Sequence, residues 1–259
     1  MLGSAGKPKT PDLVLVTGAT DGIGLELVRY YVAKGDRVIA TGRRAVADLP
    51  EGFPQEARYV PADQTNLANV NVIIEAIAAR DEPIVNVAIL NAGVGFSSDA
   101  GAEDPANIEQ TLTANLDFNV LLSQALLQHM HKVQDGWRHI GHLALIGSVA
   151  HRGAAKFPSY AATKAGLHGL ARALREEWRG RVAVQIIHPG PTRTAMHHKA
   201  GFDATNMQWM FLKPDWMARN IAIAIEAGRP RVKLSHGTWL MSRLHWLDGP
   251  IRHFRKVPR

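Results

Sequence analysis

The chain has 259 residues, 46% hydrophobic and 20% charged, a balance that suits one globular domain and excludes a disordered polymer. It holds no cysteine, which excludes disulfides, thiolate metal sites and cysteine nucleophiles, and no run of ~18 apolar residues reads as a membrane span. The formal charge of +7 resides in residues 229–259, where eight basic residues face the single acid Asp248; the body before them is balanced at 22 of each sign.

Residues 1–10 read as a disordered leader without the apolar stretch of a signal peptide, which makes a cytoplasmic location the expectation. Leu13–Val16 is an apolar run ending at Thr17-Gly18, as a buried parallel strand should look. A helix is predicted from Gly24 to Lys34, a strand at Val38–Thr41, and a short strand at Arg58–Val60. A helix over Leu67–Ala79 and a strand over Val85–Leu90 follow, then one long helix from Pro105 to Gln134. The pattern continues with a strand at His142–Ile146, a helix at Ser159–Trp178 and a strand at Val182–Ile187. Strands apolar throughout, alternating with helices, predict an α/β fold: a doubly wound, Rossmann-like parallel sheet of three layers in one domain over 11–228. An eight-unit barrel is the competing architecture, but its site would not begin with a glycine turn after the first strand.

That turn is Thr17-Gly18-Ala19-Thr20-Asp21-Gly22-Ile23-Gly24. Glycines there let the backbone approach a pyrophosphate, and the helix behind offers free N–H groups and a positive dipole end. The sequence lacks the Gly-Lys-Ser/Thr ending of a triphosphate loop, so dinucleotide binding is the better reading. After the second strand comes Thr41-Gly42-Arg43-Arg44, with no carboxylate to hold a ribose 2′-hydroxyl. Two guanidiniums suit a 2′-phosphate, which predicts NADP(H); Asp21 is the opposing signal, since its charge would repel that phosphate.

Tyr160 and Lys164 stand four apart on a predicted helix and share a face. A fixed cation beside a phenol favours phenolate and lowers its pKa of ~10, which would make Tyr160 a usable acid or base. Ser148 falls at the carboxyl end of a strand, where its hydroxyl could orient a carbonyl.

Together these features resemble the short-chain dehydrogenase/reductase family in its single-domain form. The resemblance spans about Val14 to Thr194: Thr17-Gly18-x3-Gly22-x-Gly24, Asp63, Asn91-Ala92-Gly93, Asn115, Ser148, Tyr160-x3-Lys164 and Pro189-Gly190-x3-Thr194. It implies Tyr160 as acid/base, Ser148 as the residue positioning the reacting oxygen, and Lys164 as both partner of Tyr160 and holder of nicotinamide ribose. It implies that Asn115 keeps a water in a proton relay to Lys164. Cofactor contacts are expected at Gly18, Thr20, Asp21, Gly22, Ile23 and Gly24, at Arg43 and Arg44, at Asp63 for the adenine amine, and at Asn91, Ala92 and Gly93. Pro189, Gly190, Thr192 and Thr194 would lie against nicotinamide. The family's assemblies imply a homo-oligomer, dimer or tetramer. Three departures stand out: Ser148 and Tyr160 are twelve apart where thirteen is commoner, the frequent C-terminal Gly-Gly strand ending is missing, and the match is poor beyond Thr194.

Histidines pair at His129/His131, His139/His142 and His197-His198, but no spacing adds a third ligand, so no metal site is expected. His197, His198, Phe202, Met207, Trp209, Met210 and Phe211 read as a lid over about 195–212, and suggest a small apolar carbonyl or alcohol substrate. The alternative is an ordinary helical insert. In the extension 229–259, Trp239, Leu240, Leu244, Leu247, Ile251 and Phe254 recur near helical spacing among Arg243, Arg252, Arg255 and Lys256. Packing on the fold or on a second subunit is one reading, reversible contact with an anionic membrane another; no motif accompanies the charge that would read nucleic acid. The overall expectation is an NADP-dependent carbonyl/alcohol oxidoreductase. A non-catalytic NADP(H) sensor or scaffold and an epimerase built on the same chemistry are the rivals.

Overall fold

The computed structural model describes residues 11–81, 84–99, 102–130, 141–194 and 211–235. In β1 (Leu13–Thr17) successive side chains leave on opposite faces, so Leu13 and Leu15 enter one apolar layer and Val14 and Val16 the other. The side chains are buried on both faces, which is why the strand reads as a continuous apolar run. The same holds for β2 (Arg37–Gly42), β4 (Val87–Leu90), β5 (Gly141–Ile146) and β6 (Val182–Pro189). With β3 (Arg58–Pro61) and β7 (Arg231–Leu234) they form a seven-stranded parallel sheet in the order β3-β2-β1-β4-β5-β6-β7.

Helices cover both faces. α2 (Asn69–Ala78), α4 (Phe118–Met130) and α5 (Pro158–Glu177) bury Ile73, Phe118, Leu122 and Leu167 on one side, closed by Trp178. α1 (Gly22–Ala33) and α6 (Pro214–Glu226) bury Leu27, Tyr31, Met217 and Ile221 on the other. The doubly wound, single-domain three-layer fold expected from the sequence is the observed one. The strand order reverses between β1 and β4, and ligands of such sheets bind beyond the carboxyl ends at that switch point. No helix among the described residues is long and apolar enough to cross a membrane.

Several elements differ from expectation. The long helix over 105–134 is two α-helices, α3 (Pro105–Leu112) and α4, joined by a wider π turn at Thr113–Asp117 that carries Asn115. Helix α6 and strand β7 have no counterpart in the sequence reading. β7 also lies inside the segment read as a basic extension, so that segment's first residues are an edge strand of the sheet. The leader, most of the expected lid and residues 236–259 lie outside the described residues.

Candidate active site

Strand β1 hands directly into the glycine turn, and three glycines there answer to close approaches. Gly18 has φ +65°, and a Cβ on it would lie 2.7 Å from the Ala92 Cα. Gly22 has φ +50°, and a Cβ would meet the Thr194 methyl at 2.5 Å. A Cβ on Gly24 would sit 2.0 Å from the Gly18 carbonyl oxygen, so only glycine lets the first turn of α1 fold back on the loop. Asp21 precedes α1 without capping it, and the helix's first turn holds no acid, which leaves N–H groups and a positive dipole end facing the turn.

Asn91, just past β4, bridges the switch point. Its Nδ2 donates to the carbonyls of Thr17 (3.0 Å) and Gly18 (3.3 Å), while the amides of Asn91 and Ala92 donate to Thr17 Oγ1 at 3.0 and 3.1 Å. At the end of β2, Arg43 and Arg44 are exposed. Arg44 reaches the Asp48 carbonyl at 3.2 Å, and its own carbonyl accepts from the Tyr59 hydroxyl at 2.9 Å. Asp63 accepts from Thr65 through both its amide and hydroxyl at 3.0 Å, which orders the loop after β3. Past β6, Gly190 N donates to Leu234 O at 2.6 Å, and Thr192 pairs with Leu212, which carries Thr194 back against Gly22. Turn, switch point and β6 loop therefore converge, and the glycine cradle with its uncapped helix end fits a dinucleotide.

On the other side of the switch point, Lys164 is 3% exposed and donates to the Ile146 carbonyl at 2.9 Å. Its Nζ lies 5.6 Å from the centre of the Tyr160 ring, so one face of α5 does bring phenol and ammonium together. Ser148 lies two residues past β5. Its Oγ accepts from Ala150 N at 3.1 Å, and its hydroxyl is close enough to the Tyr160 phenol to favour the phenolate. Burial raises the Tyr160 pKa above its ordinary value, and the neighbouring Ser148 hydroxyl pulls it back in part. Against the expectation of a phenol lowered by Lys164, burial dominates, and it also pulls the Lys164 pKa down to about 8.

Asn115 is fully buried on the π turn. Its Oδ1 accepts from Val94 N, and its Nδ2 donates to Val94 O, both at 2.7 Å. Nδ2 also lies 3.2 Å from Thr163 Oγ1, beside Lys164. A Cβ on Gly93 would be 3.1 Å from Asn115 Oδ1 and 3.3 Å from Lys164 Nζ, so these groups press on one small space. The Asn115 carbonyl also accepts from Asn119 Nδ2 at 2.8 Å.

In the loop between Ser148 and Tyr160, Gly153 sits at φ +115° and Lys156 at φ +68°, a left-handed conformation uncommon for a side chain. Lys156 approaches Asp99 at 3.5 Å, and Ser159 binds Glu103 through its hydroxyl and through its amide at 3.3 Å. A cleft of about 700 Å³ opens there, lined by Ser98, Glu103, Ile108, Ala154, Lys156 and Pro158, and neither Ser148 nor Tyr160 belongs to its wall. Of the expected lid, Phe211 is described and half-buried; His197, His198, Phe202, Met207, Trp209 and Met210 lie outside the described residues.

The sequence reading missed a group of three histidines, His151, His168 and His188, which lie 17 and 20 residues apart and meet only in the fold. No periodicity could have found them. Of the histidine pairs singled out from the sequence, only His129 and His142 are described, on α4 and β5.

The short chain dehydrogenase family model matches residues 12–204. A galactitol 2-dehydrogenase (L-tagatose-forming) of Cereibacter sphaeroides is 35% identical over 189 residues, covering 70% of this chain and 71% of that protein. A short-chain dehydrogenase from Sphingobium yanoikuyae in complex with NADPH shares the fold, with a TM-score of 0.73, 21% identity, and 96% and 98% of the two chains covered. A serine dehydrogenase complexed with NADP+ superposes with a TM-score of 0.73 at 26% identity, over 87% of this chain and 95% of its own.

Proposed function

This chain belongs to the short-chain dehydrogenase family, and we propose that it is an NADP-dependent oxidoreductase that interconverts a carbonyl and an alcohol, with Tyr160 as general acid/base. The observation that carries this reading is the Tyr160 phenol with the Ser148 hydroxyl on one side and the buried Lys164 ammonium 5.6 Å from its ring, beside the switch point of the sheet. A bound nicotinamide supplies the hydride in reduction and takes it in oxidation.

The chain's own residues handle the oxygen and the proton. Ser148 Oγ already accepts from Ala150 N, so its hydrogen is the part free to turn toward a substrate oxygen or the phenol. Tyr160 gives its proton to that oxygen as an alcohol forms, and takes one back in the reverse direction. Lys164 is held by a neutral carbonyl, and its ammonium stabilises the phenolate left behind. Asn115 fixes the Gly93–Val94 backbone, which walls the space next to Lys164.

The residues that would hold the dinucleotide are the turn from Gly18 to Gly24, Asn91, Ala92 and Gly93, Asp63, and Pro189 to Thr194. Arg43 supports NADP over NAD: it is exposed at the end of β2, and no carboxylate follows Gly42. From the sequence we carry forward, as parts of the same proposal, a substrate lid over 195–212, a small apolar substrate, a homo-oligomer and reversible membrane contact through the extension. A panel of small ketones and aldehydes with NADPH, followed by loss of cofactor absorbance, tests the activity; no turnover across the panel with a bound cofactor would favour a sensor instead.

A further inference from the structure

Outside the catalytic groups, one side of the Ser148 loop gathers positive charge. α5 presents His168, Arg172 and Arg175 on one stripe, and Arg231 on edge strand β7 faces them across a hollow of about 270 Å³ floored by Ile186. We propose that His168, Arg172, Arg175 and Arg231 form a binding site for a phosphate-type oxyanion, either free inorganic phosphate or a phosphomonoester.

Two of the guanidiniums are held by uncharged partners. Arg175 donates to the carbonyls of Val184 (3.2 Å) and Pro230 (2.9 Å). Arg231 approaches His151 Nε2 at 3.5 Å. Among the described residues, none of the three arginines has a carboxylate within ion-pair distance. Arg152 and Lys233 add to the same field. Burial, and after it repulsion from Arg231, His151, Arg172 and Arg175, lowers the His168 pKa. A multiply charged oxyanion removes that repulsion, and forked guanidiniums match its oxygens in a way a lone lysine would not. The hollow equals roughly nine waters at about 30 Å³ each, room for such an anion with part of its hydration.

A metal ion is the competing occupant, since ring nitrogens of His151, His168 and His188 lie within 4.8 Å of one another. The geometry disfavours it. A carbonyl only accepts, so His151 and His188 both direct Nδ1–H at the Ser148 oxygen, at 2.7 and 3.0 Å. Their rings stack with centres 3.9 Å apart, and His188 Nε2 is already taken up by His168 Nδ1 at 3.2 Å. Arg231 already faces His151 Nε2.

The test uses the full chain in phosphate-free buffer. Calorimetric titration with inorganic phosphate should saturate, and the Arg172→Gln/Arg231→Gln variant should bind at least ~10-fold more weakly. Both side chains are exposed, so the core is left intact; the single variant Arg172→Gln should move in the same direction. Saturating NADPH should leave phosphate binding unchanged, which separates this site from the dinucleotide cradle. Glycerol phosphate binding tighter than inorganic phosphate assigns the site to organic phosphates, and equal affinities assign it to the free anion; acetate should bind at least ~10-fold more weakly than either. Unchanged affinity in the double variant, acetate binding as tightly as phosphate, or zinc binding that is lost in His168→Ala and excludes phosphate would overturn the proposal.

Discussion

His188 donates its Nδ1 hydrogen to the Ser148 carbonyl across 3.0 Å, so a residue of β6 holds the backbone of the serine at the end of β5. The contact needs Gly147, because a Cβ there would lie 2.5 Å from His188 Nδ1. Burial and the nearby positive groups hold the His188 pKa at about 3, so the ring stays a neutral donor through the working range. His188→Leu and Gly147→Ala should each lower kcat by ~10-fold or more, a loss of ~1.4 kcal/mol, as Ser148 drifts from the phenol. His188→Asn, which keeps a donor near the Nδ1 position, should recover most of it with KM little changed. Equal losses in the leucine and asparagine variants would assign His188 to packing alone.

Tyr160→Phe keeps the ring and its place on α5 but removes the proton. Turnover should fall by ~10²–10⁴-fold, while cofactor affinity measured by fluorescence stays near wild type. Because burial holds the free phenol above its ordinary pKa, the activity should track the charge of Lys164, not an acidic Tyr160. A Tyr160→Phe enzyme with wild-type turnover removes it from the proton-transfer role.

Cofactor choice turns on Arg43 and Asp21. Calorimetry should give NADPH at least ~10-fold tighter binding than NADH, equivalent to ~1.4 kcal/mol. Arg43→Ala should erase most of that gap and leave NADH affinity nearly unchanged, because only the 2′-phosphate would lose a partner. Equal wild-type affinities would hand the decision to Asp21, the carboxylate at the start of α1.

The sequence discloses what is local. Apolar runs mark β1, β2, β4, β5 and β6 because their side chains are buried on both faces, and the glycine turn shows because each glycine answers a contact only glycine allows. Strand β7 was hidden: at the sheet edge Arg231 is exposed and Lys233 half-buried, so Arg-Val-Lys-Leu reads as part of a basic run. The π turn around Asn115 was equally hidden, since no glycine or proline between Asn107 and Met130 marks the break between α3 and α4. The serine–histidine contacts and the arginine hollow join α5, β6 and β7 across 17 to 80 residues, distances that no window along the chain can see.

Lys164 offers a test that reads stability against activity. Its ammonium is buried against one neutral carbonyl, and burial pulls its pKa from 10.5 to about 8. Below pH 8 both folded and unfolded chains carry the proton, and the folded state bears the full cost of the buried charge. Between pH 8 and 10.5 the unfolded chain binds more protons, so this group makes stability rise with pH. Above about pH 10 tyrosines such as Tyr31 and Tyr160, whose folded pKa values are raised, work in the opposite direction, so the clean window is about pH 8–9.5. A shift of this size corresponds to about 3 kcal/mol, reduced by about 1 for the hydrogen bond to Ile146 that any replacement loses. Cofactor-free Lys164→Met should therefore be more stable than wild type at pH 7 by about 2 kcal/mol, or roughly 4–8 °C in Tm. The difference should shrink as pH rises from 8 to 9.5, and turnover should be lost at every pH, the trade expected where a charge is buried for chemistry. Thermal melts of both proteins across that range, with NADPH oxidation assayed in parallel, decide it. A methionine variant that melts lower than wild type at pH 7, with an unchanged pH slope, would show that the ammonium stabilises the fold instead.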